Sequence, residues 1–139
     1  MTRFVLDCSV TMAWCFQGEA DRYSRGVLAA LAGGTAIVPA LWVLEVANVL
    51  LVAERHRRLP RADGTRFLKL LGELPVVVET ATGIDDADAL IGLGREHTLS
   101  AYDATYLRLA MRERIPLATK DAALRTATRA AAVPLFGVK

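Results

Sequence analysis

The feature that most limits what this chain can fold into is an alternation of short apolar runs with longer segments of helical periodicity. The runs Phe4–Leu6, Ala36–Val38, Val76–Val78, Leu117–Ala118 and Pro134–Phe136 have the length and composition of buried strands. Between and beyond them, helical patterns cover Val10–Phe16, Ala20–Leu31, Leu41–Arg57, Arg61–Glu73, Ile84–Glu96, Ala101–Arg114 and Ala122–Ala132. Strands separated by helices require crossover connections, which give a parallel sheet covered on both faces. The expected fold is therefore a doubly wound, three-layer α/β/α sandwich. Proline and glycine at Gly33-Gly34, Pro39, Pro60, Pro75, Pro116 and Pro134 fall between these segments, and neither a repeat nor a long linker divides residues 1–139, so one domain is expected.

At 53% hydrophobic and 23% charged residues, the chain can bury one sizeable core. No apolar run reaches the roughly 18 residues of a membrane span, and no signal-like segment opens the sequence, so a cytoplasmic protein with no membrane partner is expected. Cys8 and Cys15 are seven residues apart; on one helix their backbones would lie about 10 Å from each other, too far for a disulfide. A net charge of +2 does not mark a strongly basic nucleic-acid binder, and the local group Arg55, Arg57, Arg58 and Arg61, with His56 among them, reads first as cations complementing a helix C-terminus, with a phosphate-facing patch as the alternative.

In such a fold ligands bind at the carboxyl ends of the strands, and four acids are sent there. Asp7 follows the first strand and Asp121 follows the strand at Leu117–Ala118 by a short turn. Glu45 lies in the first turns of the helix after the second strand, and Asp103 opens the helix that leads back into the fourth strand. Each has a structural alternative. Asp7 or Ser9 fits an N-cap for the helix at Val10, Ser100 and Asp103 fit a capping box, and Asp121 fits the cap of the last helix. Glu45 is harder to explain that way: it lies in LWVLEVANVLLVA, apolar on nearly every face, where a carboxylate loses hydration unless a cation or hydrogen bonds compensate.

Four carboxylates in one pocket raise one another's pKa values, and a hard divalent cation relieves that repulsion. Oxygen ligands favour magnesium or manganese, whereas zinc would require histidines or thiolates at spacings that are absent; His56 and His97 lie elsewhere. Such a centre suits metal-assisted displacement at phosphorus. Ser9 and Thr119, next to Asp7 and near Asp121, have hydroxyls that either orient ligands or serve turns. Asp85, Asp86 and Asp88 read as first-turn acids at the sheet edge, and Trp14 and Trp42 as core aromatics.

The segments FVLDCS, LWVLEVAN, LSAYDATYLRLA and PLATKDAAL, in that order, resemble a PIN-domain ribonuclease of the VapC toxin type over nearly the whole chain. The resemblance implies a central parallel sheet of five strands and a catalytic set Asp7, Glu45, Asp103 and Asp121, with Asp7, Asp103 and Asp121 as metal ligands and Ser9, Asn48 and Thr119 as supporting polar groups. It further implies a Mg2+ or Mn2+ cofactor, RNA as substrate, a homodimer, and a cognate antitoxin laid over the helices Ala20–Leu31 and Leu41–Arg57. Other readings are a housekeeping RNA-processing nuclease and a non-catalytic interaction module of the same fold. A dehalogenase-type phosphatase needs a second acid where Ser9 stands, and a receiver module needs an aspartate after the third strand, where only Glu79 and the more distant Asp85 occur.

Overall fold

A computed structural model describes residues 2–16 and 18–138. Four strands, β1 (Thr2–Leu6), β2 (Gly34–Pro39), β3 (Val76–Glu79) and β4 (Leu117–Ala118), form one sheet in the order β3-β2-β1-β4. All three pairings are parallel. The helices are α1 (Cys8–Ala13), α2 (Arg22–Ala30), α3 (Ala40–Arg55), α4 (Arg61–Gly72), α5 (Ala87–His97), α6 (Ala101–Glu113) and α7 (Ala122–Ala130), with a 3-10 turn at Ile84–Asp86. This is the expected parallel α/β architecture, with helices flanking the sheet.

The expected fifth strand is a correction. At Pro134–Phe136 only a single parallel bridge, Leu117 to Leu135, extends the sheet beyond β4. Leu117 N donates to Pro134 O and Phe136 N donates to Leu117 O, after which the ladder stops. Pro134 has no N–H to contribute, and Gly137 turns the chain away at a φ of 73°. Phe136 still reaches the core, with its ring stacked on Phe4 at a centroid distance of 4.0 Å.

Burial follows strand position. Phe4, Val5 and Leu6 on β1 are all fully buried, so consecutive residues on opposite faces are both covered, as a central parallel strand requires. On edge strand β3, Val77 and Val78 are exposed. The start of β2 accepts only glycine: a Cβ on Gly34 would lie 2.8 Å from the Thr2 carbonyl oxygen and 2.9 Å from that of Ala30. α3 turns Trp42, Val46, Leu50 and Ala53 inward, the i, i+4, i+8, i+11 stripe of an amphipathic helix, and leaves Leu44 and Leu51 exposed. The Trp42 indole N–H is satisfied by Thr11 Oγ1 at 2.9 Å. Cys8 and Cys15 are free thiols, and among the described residues no helix is long and apolar enough to cross a membrane.

The chain lays β1, β2 and β3 outward on one side and then returns to place β4 on the other side of β1. The order therefore reverses between β1 and β4, and the crevice for a ligand opens at their carboxyl ends.

Candidate active site

Strand register builds the centre of the site. Leu6 pairs with Ala118, so the next residues along, Asp7 and Thr119, leave the sheet side by side. Asp7 N donates to Ala118 O at 3.0 Å, which fixes that junction. Thr119 Oγ1 then donates to Asp7 Oδ2 at 2.8 Å, and Ser9 Oγ, in the first turn of α1, donates to the same oxygen at 2.6 Å. Asp7 occupies the N-cap position of α1, yet its side chain makes no capping bond. Its carboxylate is 5% exposed. Burial pushes its pKa up, the two hydroxyls pull it back, and the Asp121 charge adds to the rise.

The hydroxyls are themselves held. Ser9 Oγ accepts from Lys120 N at 3.0 Å, and Thr119 Oγ1 accepts from Asp121 N at 3.1 Å. Arg125 Nε donates to Thr119 O at 2.7 Å, and its guanidinium lies over the Tyr23 ring. The β4–α7 turn is thereby stitched to α1, with Lys120 Nζ bonded to Glu19 O and paired with Asp21.

Asp121 does cap α7, accepting from Leu124 N at 2.8 Å through one oxygen. Asp103 resolves differently from a capping box. Ser100 Oγ accepts from Asp103 N at 3.1 Å, but the Asp103 carboxylate does not return the bond, leaving it for the site. Burial, with the charges of Asp7 and Asp121 adding to it, pushes the Asp103 pKa up to about 6. Glu45, on the sixth residue of α3, is half-buried and accepts a hydrogen bond from Tyr106 Oη at 2.5 Å. Burial raises its pKa, the Tyr106 bond opposes that, and the charges of Asp7 and Asp103 raise it further.

The four acids named from sequence thus come from the β1–α1 junction, α3, α6 and the β4–α7 turn; Asp121 acts on Asp7 and Asp103, and Asp7 and Asp103 act on Glu45. Of the supporting groups, Ser9 and Thr119 bind Asp7 directly. Asn48 lies one turn beyond Glu45 on α3, exposed, with no hydrogen bond to the acids among the described residues. Tyr106 was not anticipated. It is fully buried, and its only outward signal is a hydroxyl three residues after Asp103 on an otherwise apolar helix face. Cys8 is buried beside the acids; burial, Glu45 and Asp7 push its thiol up to about 12, so it stays protonated. Asp86 is occupied elsewhere, paired with Arg108 at 2.6 Å.

Whether this set suits a cation is decided by donor chemistry. Among the described residues no group of three or more His, Cys, Asp or Glu side chains is placed to hold a metal ion as the side chains stand. The donors are nevertheless all carboxylate oxygens, and burial with neighbouring charge raises the proton affinity of Asp7, Glu45 and Asp103, the condition a hard divalent ion relieves while keeping part of its water shell. In donor chemistry, though not in closed geometry, the set suits a hard divalent cation.

A family model described as "PIN domain" matches residues 4–130. Among solved structures, the chain is similar to PAE2754 from Pyrobaculum aerophilum, with a TM-score of 0.67 and 20% identity over 91% of this chain and 86% of that one. It is similar to a toxin-antitoxin complex from Klebsiella pneumoniae, with a TM-score of 0.60 and 18% identity over 85% and 86%. It is also similar to VapBC2 from Rickettsia felis bound to a DNA fragment from their promoter, with a TM-score of 0.69 and 11% identity over 96% and 97%. At these identities the likeness is one of fold. No curated protein matches the chain.

Proposed function

The chain belongs to the PIN domain family, and we propose that it is a divalent-metal-dependent endoribonuclease acting as the toxin of a toxin–antitoxin pair. The observation that carries the nuclease reading is Asp7, a carboxylate buried at the β1–β4 switch point without a capping role, whose charge is coupled to Asp121, Glu45 and Asp103. Asp7, Asp103 and Asp121 would hold Mg2+ or Mn2+. When bound, the cation supplies a lowered pKa for water and neutralises charge on the phosphate and leaving group.

The chain's own residues have separate tasks. Ser9 and Thr119 both donate to one oxygen of Asp7 and so fix the orientation of its carboxylate. Asp121 spends one oxygen on Leu124 N and keeps the other. Tyr106 orients the carboxylate of Glu45, whose pKa burial raises, the direction that makes it a better proton acceptor when ionised. Asn48, exposed one turn further along α3, is the supporting group nearest solvent.

The toxin role is supported by the similar folds that occur in toxin–antitoxin complexes. An apolar groove lies between α3 and α4 rather than between the α2 and α3 helices expected to carry the antitoxin; it is about 230 Å3 and lined by Ala47, Leu50, Leu51, Leu59 and Leu68, with Glu54 and Arg61 also on its wall. An antitoxin helix with an apolar face would fill it. Exposed Val77, Val78 and Ile91 on β3 and α5 suit the homodimer contact. The test is RNA cleavage by purified protein with Mg2+ or Mn2+. Cleavage that stops with chelator and is lost in Asp7→Asn is expected; equal cleavage by the wild type and Asp7→Asn would reject the reading.

A further inference from the structure

Next to the acid cluster, the carboxyl ends of β2 and β3 and the start of α6 enclose a groove of about 270 Å3. Its walls include Pro39, Leu41, Thr80, Tyr102 and Thr105. Tyr102 is 65% exposed, although tyrosine commonly buries its ring. The groove shares α3 and α6 with the site without being lined by the four acids: Leu41 lies one helical turn before Glu45 on the same face of α3, and Tyr102 neighbours Asp103 in sequence in the first turn of α6.

Resting on the nuclease reading, we infer that this groove is a subsite for one unpaired base of the RNA, stacked on Tyr102 while the adjoining phosphate lies at the acids. Size fits, since the volume is just below the roughly 300 Å3 at which pockets begin to hold larger small molecules. Chemistry fits as well. An exposed aromatic face beside a mostly apolar wall is how proteins take splayed bases of single-stranded RNA, and the Thr80 and Thr105 hydroxyls offer edge contacts. The groove runs on into a notch lined by Arg108 and Arg112. Arg112 is paired with Glu79 at 3.2 Å and Arg108 with Asp86 at 2.6 Å, so the Glu79 carboxylate is neutralised and each guanidinium keeps further N–H donors for the backbone of a bound strand.

The test uses an unstructured RNA oligonucleotide carrying 2-aminopurine, bound to the Asp7→Asn protein with Mg2+ present, with and without Tyr102→Ala, Tyr102→Phe or Tyr102→Trp. Binding should quench the base, and Tyr102→Ala should weaken affinity about 5- to 150-fold, the range matching base–aromatic stacking, while the Phe and Trp variants retain it. Equal affinity for Tyr102→Ala, or equal loss in Tyr102→Phe, would overturn the subsite. Tyr102→Ala that loses a dimer in sedimentation but binds RNA unchanged would overturn it in favour of a second copy as occupant. Cleavage assays on the Asp7-intact chains separate the two claims: cutting that is indifferent to Tyr102→Ala rejects the subsite and leaves the nuclease, whereas stacking without any cutting rejects the nuclease and leaves the subsite.

Discussion

Tyr106 on α6 donates its hydroxyl to Glu45 on α3, joining two acidic segments 61 residues apart in sequence. The phenol is fully buried and the carboxylate half-buried, so the bond is poorly replaced by water. Tyr106→Phe removes the donor but keeps the ring. It should lower stability by about 1–3 kcal/mol and raise the Glu45 pKa further, because the bond that opposes the rise is gone. Thermal unfolding and an NMR titration of the Glu45 carboxyl check both. An unchanged Glu45 titration would show that the bond does not set its proton affinity.

Thr119 is the residue that links the two strand ends. Thr119→Val keeps the shape, removes one donor from Asp7, and leaves Asp121 N without its acceptor. Losing a hydrogen bond that orients a metal-binding carboxylate weakens metal binding or activity by about 10–100-fold. Thr119→Ser should restore most of that, since it returns the hydroxyl. If the valine variant cleaves as fast as wild type, Asp7 does not depend on its neighbour.

The acids make the metal-free protein sensitive to pH. Asp103, with a folded pKa raised to about 6, binds more protons folded than unfolded between pH ~4 and ~6. Its contribution to stability is therefore fully present below its unfolded pKa and lost as pH rises through the folded value; Asp7 and Glu45 act in the same direction. In chelator, Asp103→Asn should raise the midpoint of thermal unfolding at pH 7.5, by the equivalent of about 1 kcal/mol once solvent screening is allowed for. That gain should vanish near pH 4. A variant less stable than wild type at pH 7.5 would contradict the repulsion.

Magnesium should reverse the pH effect. A cation binds the ionised acids, so the rise in melting temperature on adding Mg2+ should be larger at pH 7.5 than at pH 5. Scanning calorimetry at both values checks it, and an equal rise at both would place the ion elsewhere.

Much of this was legible in the sequence because strand ends are easy to read in a parallel fold. Asp7 follows β1 and Thr119 follows β4, so the topology brings them together whatever the rest of the chain does. Helical periodicity located α3 and α6, and with them Glu45 and Asp103. What was not legible depended on contacts between remote side chains or on short-range geometry. Tyr106 looks like core until Glu45 is placed opposite it, and Pro134–Phe136 has a strand's composition but only one bridge's worth of hydrogen bonds. Asn48 has helical spacing from Glu45, and only the packing of α3 shows it exposed.

The most direct measurement is metal-dependent RNA cleavage by the wild type and by Asp7→Asn, Glu45→Gln, Asp103→Asn and Asp121→Asn in turn. Each neutralised acid should lower the rate by about a hundredfold or more, with wild-type activity abolished by chelator and returned by Mg2+ or Mn2+. Undiminished cutting in the four variants, or cutting that persists in chelator, would contradict the account.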